Sequence, residues 1–169
     1  MTVKQGMGPI AERDARLFIL GSLPGDASLA AQRYYAHPTN QFWRLLGEAI
    51  GEPLAGTNYD ARLERLRTRG IGLWDVVASA TRAGSLDGAI RAAGLNPIER
   101  LLEDFPMLAA IAFNGGVAAR TGRKLLGAMH GLELIDLPSS SAAYTRPFAE
   151  KAAAWRVLSR FCVSGVPEA

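Results

Sequence analysis

At 169 residues the chain has room for one domain with a substantial core. A single cysteine, Cys162, excludes an intramolecular disulfide and a four-cysteine iron–sulfur site, while His37 and His130 lie far apart without cysteine or spaced acidic partners, which argues against zinc. The 19 Lys and Arg against 16 Asp and Glu give a net charge of +3, a weak pointer to an acidic partner, and no run approaches the ~20 apolar residues of a membrane span.

Residues 1–14 mix Gly, Pro and charge and read as a lead-in, with a single domain over 15–165. Phe18, Ile19 and Leu20 form an apolar run too short for a helix, and Gly21-Ser22-Leu23-Pro24-Gly25 stops it with turn residues: a strand ending in a ligand-facing loop. Tyr34-Tyr35-Ala36-His37-Pro38-Thr39-Asn40 follows, and Pro38 disfavours α geometry at His37, so this stretch is expected to be an exposed loop. Its aromatic faces suit base stacking, and the Asn40 amide offers both donors and acceptors. The plainer readings are core tyrosines and Asn40 or Thr39 as cap of the helix carrying Phe42, Leu45, Leu46 and Ile50, which Gly51 terminates. Asp60 is expected to cap a helix whose Leu63 and Leu66 face inward while Arg62, Arg65, Arg67 and Arg69 are solvated.

Ile71 to Val77 reads as a second strand, interrupted by Asp75, a carboxylate that must either bind backbone donors or belong to a site. Ser85 is expected to cap a short helix through Ala93, and Asn96-Pro97-Ile98-Glu99 to open another. Met107 to Phe113 is the third strand. Asn114-Gly115-Gly116 leads from it into a helix through Leu126, with Asn114 either a cap or a reader of substrate. The glycine spacing, with Arg123-Lys124 where a P-loop carries Lys-Ser/Thr, rejects nucleotide hydrolysis. Leu132 to Leu137 is the fourth strand, ending in Pro138-Ser139-Ser140-Ser141, and a last helix from Pro147 to Val163 buries Phe148, Trp155 and Leu158. Alternating strands and helices predict an α/β three-layer sandwich around a central, mainly parallel four-stranded sheet.

Gly21-Ser22-Leu23-Pro24-Gly25 followed by Tyr34-Tyr35-Ala36-His37-Pro38-Thr39-Asn40-Gln41-Phe42-Trp43 resembles the first motif region of the uracil-DNA glycosylase superfamily, in particular its hypoxanthine-DNA (deoxyinosine) glycosylase branch. Leu137-Pro138-Ser139-Ser140-Ser141-Ala142 resembles that branch's second motif, and Trp74-Asp75-Val76-Val77 with Arg82 to Asp87 its middle segment. The resemblance implies a uracil-DNA glycosylase-like fold and a hydrolase that removes a deaminated base from DNA by flipping it out of the stack. It implies Asn40 as the catalytic amide, and Tyr35, the main chain at Ser22 and Leu23, Asp75 and Asn114 as base contacts. It also implies Ser139, Ser140 and Ser141 as phosphate contacts, with Ala142, Ala143 or Tyr144 filling the vacated stack.

Leu23 stands where better-known branches carry a water-activating Asp or Asn, which favours a base that leaves readily, such as a purine assisted by protonation at a ring nitrogen. Hypoxanthine is therefore the expected substrate, with uracil or a G/U mismatch, or a non-catalytic nucleic-acid-binding domain, as alternatives. A serine hydrolase built on Ser140 and His37 lacks a Gly-x-Ser-x-Gly elbow. The expected protein is a cytoplasmic monomer that acts on DNA without metal or cofactor.

Overall fold

The computed structural model describes residues 2–128 and 131–165, so His130 lies outside the described residues. Its centre is a parallel sheet ordered β3-β2-β6-β7, made of β2 (Leu17–Gly21), β3 (Ile71–Asp75), β6 (Ala110–Asn114) and β7 (Glu133–Leu137). Strand β2 is buried throughout because it lies between β3 and β6, in register Leu17 to Ile71 on one side and Leu17 to Ala110 on the other. Alternate side chains enter opposite layers, as pleating requires. Leu17 and Ile19 pack with Phe42, Leu45, Leu46, Leu66 and Trp155, whereas Phe18 and Leu20 pack with Ile98, Leu101, Phe113 and Leu126. The first layer holds α2 (Phe42–Ile50), α3 (Tyr59–Thr68) and α6 (Phe148–Trp155); the second holds the short α4 (Leu101–Asp104) and α5 (Gly116–Leu126). The three-layer α/β arrangement expected from the sequence is the one observed.

A second, antiparallel sheet ordered β1-β4-β5 was not foreseen: β1 (Val3–Gln5), β4 (Val77–Thr81) and β5 (Arg91–Leu95). The expected strand from Ile71 to Val77 is in fact two, because the chain leaves the parallel sheet at Asp75 and joins the antiparallel one at Val77. The lead-in supplies β1. The helix expected from Ser85 is replaced by a single 3-10 turn at Asp87–Ala89 and then β5, where Gly88 within that span disfavours helix and β4 offers a partner edge. Ser85 is still a cap, but in space: its Oγ accepts the Asp26 N–H at 2.9 Å, at the start of α1 (Asp26–Ala31).

The cap of α3 is Asn58, whose Oδ1 accepts from Ala61 N at 2.9 Å, and Asp60 sits two residues further on, inside the first turn. Arg69 is buried rather than solvated: its guanidinium donates to the Ile50 carbonyl and Glu52 carboxylate, and its Nε to the Val163 carbonyl, so it ties the chain end to the first layer. Among the described residues no helix is long and apolar enough to cross a membrane.

Candidate active site

The carboxyl ends of β2, β3 and β6 meet at one edge of the sheet, where ligands of parallel α/β sheets bind. Gly21-Ser22-Leu23 leaves β2, Asp75 ends β3 and Asn114 ends β6. The loop after β7 and the loop carrying Tyr35 and Asn40 close on the same place, for Gln41 N donates to the Ser140 carbonyl at 2.9 Å.

Two backbone N–H groups fix the direction of the network there. Phe42 N donates to Asn40 Oδ1 at 3.0 Å, and Ser140 N donates to Asn114 Oδ1 at 2.9 Å. Since an N–H can only donate, both amide groups are oriented without ambiguity. Asn114 Nδ2 must then donate to Ser140 Oγ at 2.8 Å, and Ser140 Oγ to Asn40 Oδ1 at 2.8 Å. Asn40 therefore has its oxygen doubly engaged, and its Nδ2 bonds to no protein group among the described residues. It presents a donor. Gln41 is the N-cap of α2, and the Asn40 oxygen just before it accepts the N–H of the first helical residue, Phe42.

Tyr35 and Tyr34 lie in the same loop, but they are not the exposed pair expected. Tyr34 is core, its hydroxyl donating to the Gly8 carbonyl at 2.7 Å. Tyr35 is half-buried with a left-handed backbone (φ 54°), one ring face stacked on Phe42 at 3.8 Å and 7°. Its hydroxyl accepts from Asn114 Nδ2 at 3.3 Å. Burial, first, and the Asp75 charge, second, raise its pKa, so it stays a neutral phenol.

Asp75 is 4% exposed, and its Oδ2 has no hydrogen-bond partner. Burial pushes its pKa up to about 7, the neighbouring Asp87 adds to the rise, and Arg82 opposes it. Gly21 explains how it fits. A Cβ at position 21 would stand 2.6 Å from Asp75 Oδ1 and 2.9 Å from the Tyr35 hydroxyl, so both groups converge on space that only glycine leaves open. Gly21→Ala is accordingly expected to lower stability by about 1–3 kcal/mol through overpacking and to reduce whatever turnover depends on Asp75 and Tyr35. Denaturant melts and activity on the same preparation check this.

The first loop is held from outside the motif. Ser22 Oγ donates to Asp87 Oδ1, and the buried Arg82 donates to the carbonyls of Leu23 and Pro24. With the Leu23 side chain packed against Val77 and Ala80, the loop backbone is rigid, and the N–H groups of Ser22 and Leu23 donate to no acceptor among the described residues. The serine loop is anchored at its base by Trp155 Nε1 on the Pro138 carbonyl and by the buried Lys151, which donates to Gln41 Oε1 and the Ser141 carbonyl. Its tip, residues 142–147, is exposed, with Tyr144 46% exposed and Lys151 Nζ 5.3 Å from its ring.

Residues 8–159 match the family profile described as the uracil DNA glycosylase superfamily. The chain belongs to that superfamily. It is 41% identical over 152 residues to a protein of Methanosarcina barkeri named hypoxanthine DNA glycosylase, covering 90% of this chain and 95% of the relative. A protein of the same name from Methanosarcina acetivorans is 39% identical over 158 residues, covering 94% and 99%. The fold is similar to the solution NMR structure of a candidate uracil DNA glycosylase from Methanosarcina acetivorans, with a TM-score of 0.84 and 39% identity over 94% of this chain and 98% of that one.

Within this superfamily member, Asn40, Tyr35, Ser22, Leu23, Asp75 and Asn114 are brought to one edge of the sheet. Ser140 departs from its expected role: it is 1% exposed and its hydroxyl points inward to Asn40, so it positions the amide and is not placed to grip phosphate. Ser139 and Ser141 are half-buried, their Oγ atoms accepting from Ser141 N and Ala143 N, while Ala143 and Tyr144 stand at the exposed tip. Asp87, Arg82, Gln41 and Lys151 were missed. Arg82 and Asp87 sit in a segment quoted for its resemblance, but nothing local marks them as supports of the first loop. His37 is exposed and bonded to Thr39, with no part in the network. Among the described residues no cluster of His, Cys, Asp and Glu has the makings of a metal site.

Proposed function

We propose that the protein is a monofunctional DNA glycosylase that hydrolyses the N-glycosidic bond of a deaminated base, hypoxanthine in preference to uracil, to begin base excision repair. The observation that carries this reading is the Asn40 amide, locked by its oxygen in a network that runs through Ser140 and Asn114 to Tyr35, with its nitrogen bonded to no protein group among the described residues. The names of the relatives at about 40% identity support the same class.

A base in duplex DNA must be extruded to be cut. The free face of Tyr35, backed by Phe42, stacks on the extruded base, and the Ser22 and Leu23 N–H groups line its edge. Asn40 Nδ2 holds water or the base by donation, for an amide is no general base at neutral pH. Asn114 acts mainly through Ser140 and Tyr35, since both ends of its amide are engaged by protein. Ser139 and Ser141 offer the phosphate contacts, and Tyr144 is the group that fills the vacated stack, being the large exposed side chain of that loop.

Affinity for duplex falls steeply with salt whatever the base, because basic groups near the serine loop neutralise phosphates and release their counterions. Tyr144→Ala lowers excision from duplex by roughly 10-fold or more yet spares a single-stranded substrate, where there is no stack to refill and the few kcal/mol of unpairing is absent. Single-turnover rates on the two substrates check it.

The substrate assignment is tested by excision of deoxyinosine and deoxyuridine in one sequence context, opposite each of the four bases. Faster cleavage at deoxyinosine is expected. Robust uracil removal without hypoxanthine release moves the protein to a uracil or mismatch-specific activity, and binding without release of either base makes it a non-catalytic domain.

A further inference from the structure

We propose that Asp75 acts as a neutral acid that hands its proton to a ring nitrogen of the departing purine, with Asp87 the positioning residue that keeps that proton in place until the base leaves. This rests on the glycosylase reading above and assigns the acid that reading lacks.

A carboxylate buried at the end of β3 with one oxygen unpartnered is expensive as an anion and far less so as an acid. Structural carboxylates escape this cost by binding backbone N–H groups or an arginine. Asp75 does neither: Arg82, the cation whose charge acts on it, spends its hydrogen bonds on the Leu23, Pro24 and Gly84 carbonyls. The fold instead makes the charge less welcome, because the 3-10 turn after β4 brings the Asp87 carboxylate to Ser22, within electrostatic reach of Asp75. The groups facing Asp75 are therefore Asp87 from that turn, Arg82 from the end of β4, and the neutral phenols Tyr34 and Tyr35 from the loop. Burial and Asp87 outweigh Arg82, and the carboxyl titrates at about 7. Such pairs, in which the environment drives one carboxyl up, are a common source of enzymatic acids.

The second observation is aim. Asp75 Oδ1 and the Tyr35 hydroxyl approach the same point above Gly21, at the mouth of the first loop. A base stacked on Tyr35 therefore lies against this carboxyl. Hypoxanthine carries acceptor nitrogens, N3 and N7, whereas the ring of neutral uracil has none. An acid placed here selects the purine.

The step balances without any further reagent. The C1′–N9 bond breaks with its electron pair going to the purine, a ring nitrogen takes the proton of Asp75, and Asp75 becomes a carboxylate. Water adds to C1′, and the proton it releases restores the acid form of Asp75. The products are hypoxanthine and an abasic site.

The test is single-turnover excision of deoxyinosine from pH 5.5 to 8.5 by the wild-type protein, Asp75→Asn and Asp87→Asn, each with a melting curve. The wild-type rate is expected to be level at low pH and to fall about 10-fold per unit once Asp75 has ionised. Asp75→Asn keeps the shape of the side chain but has no proton to transfer, so its rate is expected to be lower by about 10²-fold at pH 6 and its profile flat. In Asp87→Asn the fall is expected to begin at lower pH than in the wild type whatever the level of its low-pH rate, a displacement that loss of structure would not produce. A wild-type rate that is independent of pH, or that rises with pH as a general base would require, overturns the assignment, as does an Asp75→Asn variant with the wild-type rate and slope. A wild-type protein that releases no base at any pH overturns the glycosylase reading itself, and this assignment with it.

Discussion

Replacing Asn40 by Ala is expected to lower single-turnover excision of hypoxanthine by on the order of 10²-fold or more, the scale lost when a preorganised amide is removed from a site of developing charge. The same change removes an acceptor from Phe42 N and from Ser140 Oγ, so a stability loss of roughly 0.5–2 kcal/mol accompanies it. The two effects separate on one sample, because rate per folded molecule and melting are measured independently. Asn40→Asp sharpens the result. Aspartate keeps both bonds at Oδ1 but puts an oxygen where Nδ2 stood, so it is expected to be nearly as inactive as Ala if the donor matters. Activity equal to or above wild type in Asn40→Asp would show that position 40 works as an acceptor or base.

The second large effect concerns stability and has the opposite sign. In the folded protein the Asp75 carboxyl is raised from 3.8 to about 7, so the native state binds its proton more tightly than the unfolded chain does. Between these values the native state holds more protons, and stability therefore falls as pH rises. The penalty is absent below about pH 4, grows through neutrality and is complete above about pH 7. Asp75→Asn, which cannot ionise, is expected to be more stable than wild type by up to about 4 kcal/mol at pH 8, the gap closing toward pH 4. Denaturant melts of both proteins across that range check it. A variant less stable than wild type at pH 8 would mean that the Asp75 charge is satisfied in the fold. A gain in stability combined with a loss of excision is what a residue retained for function produces.

The parts of this molecule that were legible in the sequence share a cause. The inner parallel strands announce themselves as short apolar runs because they are buried on both faces, as Leu17–Gly21 and Ala110–Asn114 show, whereas β7 at the sheet edge is only partly buried. The small sheet carries no such signal. Arg91–Leu95 reads Arg-Ala-Ala-Gly-Leu, with neither alternation nor β-branched residues, and is a strand only because β4 offers it an edge. At the site, motif positions were legible through resemblance, but their connections were not. That Ser140 faces Asn40, that Asp87 reaches Ser22 and that Arg82 clamps the first loop are consequences of topology, joining segments far apart in the chain. Gly21 illustrates the same limit: as a turn residue it is ordinary, and only the convergence of Asp75 and Tyr35 over it shows why a side chain is excluded.

The most direct test of the account is to incubate the wild-type protein in excess with a duplex containing one deoxyinosine and to identify the small-molecule product by mass spectrometry. Free hypoxanthine in amount equal to the abasic sites formed, with an uncleaved strand until alkali is added, is the predicted result. Release of uracil alone from a parallel deoxyuridine duplex, or stable binding to deoxyinosine with no free base, would contradict it.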